Sequence, residues 1–213
     1  MLRSLALLAL AALAIADNPL CPTTDTLLII DSSQSITKEQ FEKIKKYAQN
    51  FVSIFSVGTG PSEAQFGGII FNEDVRYQWP LNKYDNLQDL QNGLATLPYI
   101  TGTTNTGKAF VTAHNILTGT GSRPSSCKGV VLFTDGRYDH GDNPIPLAEQ
   151  LRNDLQAVVI SVAVEGINGF LAPYDYDLLV QLSGSKELVY VLDNVLKDNT
   201  QITNMKSKLL KVN

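Results

Sequence analysis

The chain is short of the residues on which most catalysis depends, with two histidines, two cysteines, two methionines and one tryptophan in 213 residues. Hydrolysis by a Ser-His-Asp arrangement would have to draw on His114 or His140. His114 stands beside the apolar positions of a helical pattern and reads as a packing or solvated helix residue. His140 belongs to Arg137-Tyr-Asp-His-Gly-Asp-Asn143, which reads as a solvated loop, with a second cation site or part of a partner surface as the alternatives. An excess of positive charge is also absent. Lys and Arg number 17 against 21 Asp and Glu, and they are scattered, which argues against nucleic acid and anionic membrane as partners. No Asn-x-Ser/Thr sequence occurs, so no N-glycan is expected.

Long apolar runs are missing except at the start, where MLRSLALLALAALAIA carries a basic Arg3, an apolar stretch from Leu5 and the small-x-small ending Ala14-Ile15-Ala16. That pattern is a secretory signal peptide. Its apolar part is shorter than the roughly 20 residues of a membrane span. Residues 1–16 are therefore expected to be removed, leaving 17–213 as a single domain, and the net charge of −4 becomes about −5 without Arg3. The polar ending MKSKLLKVN does not resemble a lipid-anchor signal. A secreted, extracellular protein with no membrane span is the expectation. An oxidising export route favours pairing Cys21 with Cys127, with two separate buried thiols as the alternative.

What is present is a series of short apolar runs: LLII at 27–30, GGIIF at 67–71, GVVLF at 129–133, AVVISVAV at 157–164 and ELVYVL at 187–192. Runs without alternation imply strands covered on both faces. Between them Phe41, Ile44, Ala48, Phe51, Val52 and Phe55 recur at helical spacing, opened by Thr37 with Gln40 three residues on as a capping box. Phe110, Ala113, Ile116 and Leu117 repeat the spacing, as do Ile202, Met205 and Leu209. The fold class predicted is α/β, a three-layer, doubly wound, mostly parallel sheet with helices on both faces. VRYQW at 75–79 follows the second run after only Asn72-Glu73-Asp74, too short a gap for a crossover, so it is predicted to be an antiparallel edge strand ended by Pro80.

In such a sheet ligands collect beyond the carboxyl ends of the strands, where the winding reverses. LLII runs straight into Asp31-Ser32-Ser33-Gln34-Ser35, Thr134-Asp135-Gly136 follows GVVLF, and Thr101-Gly-Thr-Thr-Asn-Thr106 opens a helix. If the first and fourth strands are neighbours, these three loops converge. Two carboxylates with several hydroxyls suit a hard cation such as Mg²⁺, with Mn²⁺ or Ca²⁺ also acceptable. Each residue alone reads as a helix cap or loop former. Their joint placement is the specific signal.

The segments DSSQS, TGTTNTG and VVLFTDG resemble the three metal-site segments of the von Willebrand factor A (vWA) domain family, and the resemblance covers about residues 23–211. It implies a metal-ion-dependent adhesion site with Asp31, Ser33 and Ser35 from the first motif, Thr104 from the second and Asp135 from the third. It further implies that Thr104 and Asp135 exchange direct and water-mediated ligation when an acidic partner binds. Gln34 stands where many members carry Gly. The chain stops just after its last helix, so long-range switching is not expected. In this fold Cys21 precedes the first strand and Cys127 the fourth, at the sheet end opposite the metal, where a bridge is geometrically reasonable.

Rival chemistries fail on particular residues. Gly102 to Lys108 fits G-x-x-x-x-G-K, but Ala109 follows where a phosphate-binding loop needs Ser or Thr. Phosphoryl transfer of the haloacid dehalogenase type needs a second acid two residues after the first, where Ser33 stands. The expectation is a non-enzymatic extracellular adhesion or matrix module. It would bind an acidic residue of a protein ligand, a matrix protein such as collagen or a cell-surface receptor, through the cation. The alternative is a structural matrix protein whose cation only stabilises the fold.

Overall fold

Thr24–Asp31 forms β1, and every residue of it is buried. The computed structural model describes residues 21–165 and 174–211, so the expected signal peptide lies outside the described residues. Leu28 and Ile30 enter one apolar core and Leu27 and Ile29 the other. A strand whose alternate residues point to opposite faces must be apolar throughout when both faces are covered. The strand Cys127–Thr134 (β4) does the same with Val131 and Phe133 against Val130 and Leu132.

β1 is flanked by Gln65–Phe71 (β2) and β4, both parallel to it, with Asp31 opposite Phe71 and Ile30 opposite Phe133. Val75–Trp79 (β3) is the antiparallel edge strand on β2, as the three-residue gap predicts. Val158–Ala163 (β5) and Val189–Val191 (β6) complete the order β3-β2-β1-β4-β5-β6. The winding reverses between β1 and β4. β3 is held by a close approach: Trp79 lies opposite Gly68, where a Cβ would stand 2.1 Å from the indole ring. The indole nitrogen donates to the Phe66 carbonyl at 3.1 Å.

Lys38–Ser53 (α1) begins with the predicted capping box, in which Gln40 N–H donates to the Thr37 hydroxyl and the Gln40 side chain accepts from Thr37 N–H. The helix closes at Ser53, so Phe55 falls beyond it, still buried. Leu87–Ala95 (α2) follows β3, and Thr106–Thr118 (α3), capped by Asn105, leads to β4. Pro144–Leu155 (α4), Tyr176–Ser183 (α5), Leu192–Val195 (α6) and Asn199–Leu209 (α7) complete the described helices. Helices α1, α2, α6 and α7 cover one face and α3, α4 and α5 the other. None of the described helices is long and apolar enough to cross a membrane.

Only half of the run at 187–192 is strand. Lys186–Leu188 is a 3-10 turn capped by the Ser185 hydroxyl, and Leu192 opens α6, leaving three residues to pair with β5. At the opposite end of the sheet from the strand-end loops, Cys21 and Cys127 form a disulfide with Cα atoms 5.7 Å apart. Cys127 is the first residue of β4, and Cys21 N–H donates to the Leu210 carbonyl at 2.9 Å, so the two ends of the domain meet there.

Candidate metal centre

Because β1 and β4 are paired in register, their last residues emerge side by side. Thr134, ending β4, donates its hydroxyl to Asp31 Oδ2 at 2.7 Å, and Ser33 N–H donates to Asp31 Oδ1 at 2.8 Å. Asp31 is thereby fixed by short-range and cross-strand bonds together. The Ser33 and Ser35 hydroxyls are 3.2 Å apart, which keeps both on the same turn. Ser32 faces the other way, its one hydroxyl proton shared between the Phe71 and Ile100 carbonyls at 3.1 and 2.7 Å. The alternation of Ser33 and Ser35 against Ser32 is why D-x-S-x-S leaves two hydroxyls on one side.

Backbone stitching brings the threonine loop to this turn. Gln34 N–H donates to the Gly102 carbonyl at 2.8 Å, and the Asn72 amide bonds the Ile100 and Thr101 carbonyls, each at 3.1 Å. Thr104 is buried, and its carbonyl accepts from Asp139 and His140 N–H at 3.0 and 3.2 Å. That pair of bonds joins the 137–143 loop to the threonine loop. Tyr138 to Asn143 are exposed.

Asp135, directly after β4, is fully buried like Asp31. Its Oδ1 accepts from Arg137 N–H at 3.1 Å and its Oδ2 from the Arg137 guanidinium at 2.9 Å. Gly136 has φ +81, and a Cβ there would stand 2.8 Å from the Asp175 carbonyl, so only glycine folds residue 137 back over residue 135 at this turn. Asp175 N–H donates to the Asp135 carbonyl at 2.8 Å.

Electrostatics and donor chemistry fit a divalent cation. Burial pushes the Asp31 carboxyl up to about 7, partly offset by the Ser33 and Thr134 hydrogen bonds, and the charge of Asp135 adds to the rise. Two carboxylates this deeply buried are costly without positive charge between them. Among the described residues no group of three or more His, Cys, Asp or Glu side chains is gathered for a metal. A cation at Asp31 and Asp135 therefore has to complete its shell with hydroxyls and water, which suits Mg²⁺ or Mn²⁺ better than a soft ion. The same finding leaves the 137–143 loop without a second cation site of that kind.

Residues of the rival readings are otherwise engaged. Lys108 pairs with Asp74 at 2.7 Å and Asn105 caps α3. Thr134, Asn72 and Arg137 organise the site without having been singled out as site residues from sequence. Thr134 adjoins Asp135 in the sequence, whereas the part played by Arg137 depends on the left-handed turn at Gly136 and that of Asn72 on a loop 28 and 29 residues away.

The sequence profile of the von Willebrand factor type A domain matches residues 25–204, and the chain belongs to that family. It is 31% identical over 172 residues to the human collagen alpha-6(VI) chain, covering 80% of this chain and 7% of that one. It is 30% identical over 145 residues to human matrilin-1, covering 67% of this chain and 29% of matrilin-1. The chain thus spans less than a third of the length of each of these relatives. Among solved structures it resembles proximal thread matrix protein 1 of the mussel byssus with a zinc-occupied MIDAS motif. That match has a TM-score of 0.75 and 25% identity, over 87% of this chain and 48% of the other.

Proposed function

We propose that this chain is an extracellular adhesion or matrix-binding module that takes up an acidic residue of a protein ligand at a divalent cation. Asp31, Ser33, Ser35, Thr104 and Asp135 would hold the cation, with Mg²⁺ the expected ion and Mn²⁺ or Ca²⁺ accepted. The carrying observation is the pair of fully buried carboxylates, Asp31 and Asp135, at the point where the sheet reverses its winding. When bound, the cation supplies positive charge and a coordination position open to a carboxylate oxygen from outside. The chain's own residues supply rigidity: Thr134 and Ser33 N–H orient Asp31, and Gln34 and Asn72 hold the threonine loop against it.

The matrilin and collagen relatives and the zinc-occupied mussel protein support an extracellular, non-enzymatic role and a divalent ion. With that role goes export by the signal peptide at residues 1–16 and a single domain over 17–213. The ligand class is a matrix protein, such as a collagen, or a cell-surface receptor. The test is capture from an extracellular matrix extract in Mg²⁺. A specific protein retained by the wild type, eluted by EDTA and not retained by Asp31→Ala supports the reading; retention indifferent to both removes it.

A second reading, in which the cation only stabilises the loops, is favoured by one observation, the cost of burying Asp31. It differs in predicting that all effects of the ion appear in melting and none in partner binding.

A further inference from the structure

Among the described contacts, Arg137 is the one cation paired with either of the two buried carboxylates of the site, and the one it pairs with is Asp135. Its guanidinium is 2.9 Å from Asp135 Oδ2 and is 22% exposed, against 0% for the carboxylate beneath it, so the arginine is the outward member of the pair. Its own N–H holds the other oxygen of Asp135. Residue 137 therefore claims both oxygens, and the left-handed turn at Gly136 fixes it there. With Arg137 in place, Asp31, Asp135 and Arg137 sum to one negative charge; with the guanidinium moved away, two carboxylates remain, which matches a divalent ion.

We propose that Arg137 is the internal counter-ion of the site, competing with the divalent cation for Asp135 so that the ion binds only as the guanidinium leaves. This rests on the cation-site reading above and deepens it by naming what regulates occupancy. Two positive charges and one within a few ångströms repel each other, and the neutralising partner of Asp135 has to be exchanged, not added. The guanidinium is the partly exposed, outward member of the pair, so it lies on the solvent side of Asp135 from which an incoming ion would replace it. Cation affinity is thereby set lower than the five oxygen-bearing residues alone would give, and dissociation leaves a neutralised Asp135 behind.

The experiment is a calorimetric titration of the full chain with Mn²⁺ alone at 0.1 M ionic strength or about that, where the Debye length is about 10 Å. Wild type, Arg137→Gln, Arg137→Lys, Asp31→Ala and Lys186→Gln are compared. Lys186 precedes β6 at the far end of the sheet, so its loss changes net charge without touching the site. The proposal expects Arg137→Gln to bind Mn²⁺ about tenfold more tightly or better, with Arg137→Lys and Lys186→Gln near the wild type. Equal affinity in wild type and Arg137→Gln, with binding lost in Asp31→Ala, overturns the counter-ion and leaves the cation site standing. Tightening by Lys186→Gln as large as by Arg137→Gln also overturns it, since the effect would then be one of net charge. No binding by either wild type or Arg137→Gln removes the cation site and this proposal together.

Discussion

Thr134 donates its hydroxyl to Asp31 across the β1–β4 pair at 2.7 Å and accepts from Gly136 N–H at 3.1 Å, so one side chain couples the first-motif carboxylate to the turn that carries Asp135. The two halves of the site are thus joined through hydrogen bonds. Thr134→Val keeps the shape and removes both bonds. A buried carboxylate oxygen left without its donor costs roughly 1–3 kcal/mol. Urea unfolding of the variant should show a loss of that size and weaker cation binding; wild-type stability would mean that Thr134 does not organise the site.

Asp25 carries a different set of interactions at the other end of the sheet. The Arg123 guanidinium bonds its Oδ1 at 2.6 and 2.8 Å, and Arg123 N–H and Lys128 reach Oδ2 at 2.7 and 2.9 Å. Burial pushes the carboxyl up, but the bonds from Ser126, the Arg123 backbone, Lys128 and the Arg123 guanidinium outweigh it and hold Asp25 below the usual range. A depressed carboxylate contributes stability that is complete above its unfolded value of about 3.9 and is lost as pH falls through the lower folded value. Asp25→Asn should therefore flatten the acid limb of a stability–pH curve. At pH 7 it should cost about 3–5 kcal/mol, because two largely buried cations lose their partner. An unchanged acid limb would contradict this.

The Cys21–Cys127 disulfide closes a loop with a sequence separation of 106. Chain-entropy reasoning assigns such a closure up to about 4.7 kcal/mol. The double variant Cys21→Ser/Cys127→Ser should unfold at lower urea and yet bind Mn²⁺ with wild-type affinity below its transition, because the bridge stands at the sheet end remote from Asp31. Cation affinity that falls together with the bridge would mean that the two ends are coupled.

The parts of the fold legible in the sequence are those set by local pattern or by burial on both faces. Thr37 and Gln40 cap α1 within four residues of each other, and LLII and GVVLF have to be central strands because every position is apolar. Asp31 and Asp135 stood out because each follows such a strand directly. The edge strand at 75–79 was legible from the shortness of its connection. β6 was overestimated because Leu188 and Leu192 are apolar for their packing against the α1 face, not for strand pairing. α2, α4 and α5 are not among the helices the apolar spacing predicts, α2 burying only Leu90 and Leu94. The Arg137–Asp135 pair depends on positive φ at Gly136, and the grip of Asn72 on Ile100 and Thr101 depends on tertiary contact. No spacing rule reaches either.

The central claim is a cation held for the sake of a partner, and Thr104→Ala tests it most directly, with two readouts on the same protein. Asp31, Ser33, Ser35 and Asp135 remain in the variant, so the rise in melting temperature on adding Mg²⁺ should be largely kept. Binding to the matrix protein captured by the wild type, measured in Mg²⁺, should fall at least about tenfold, the loss of one well-placed contact. Partner binding equal to the wild type and unaffected by EDTA would contradict the account.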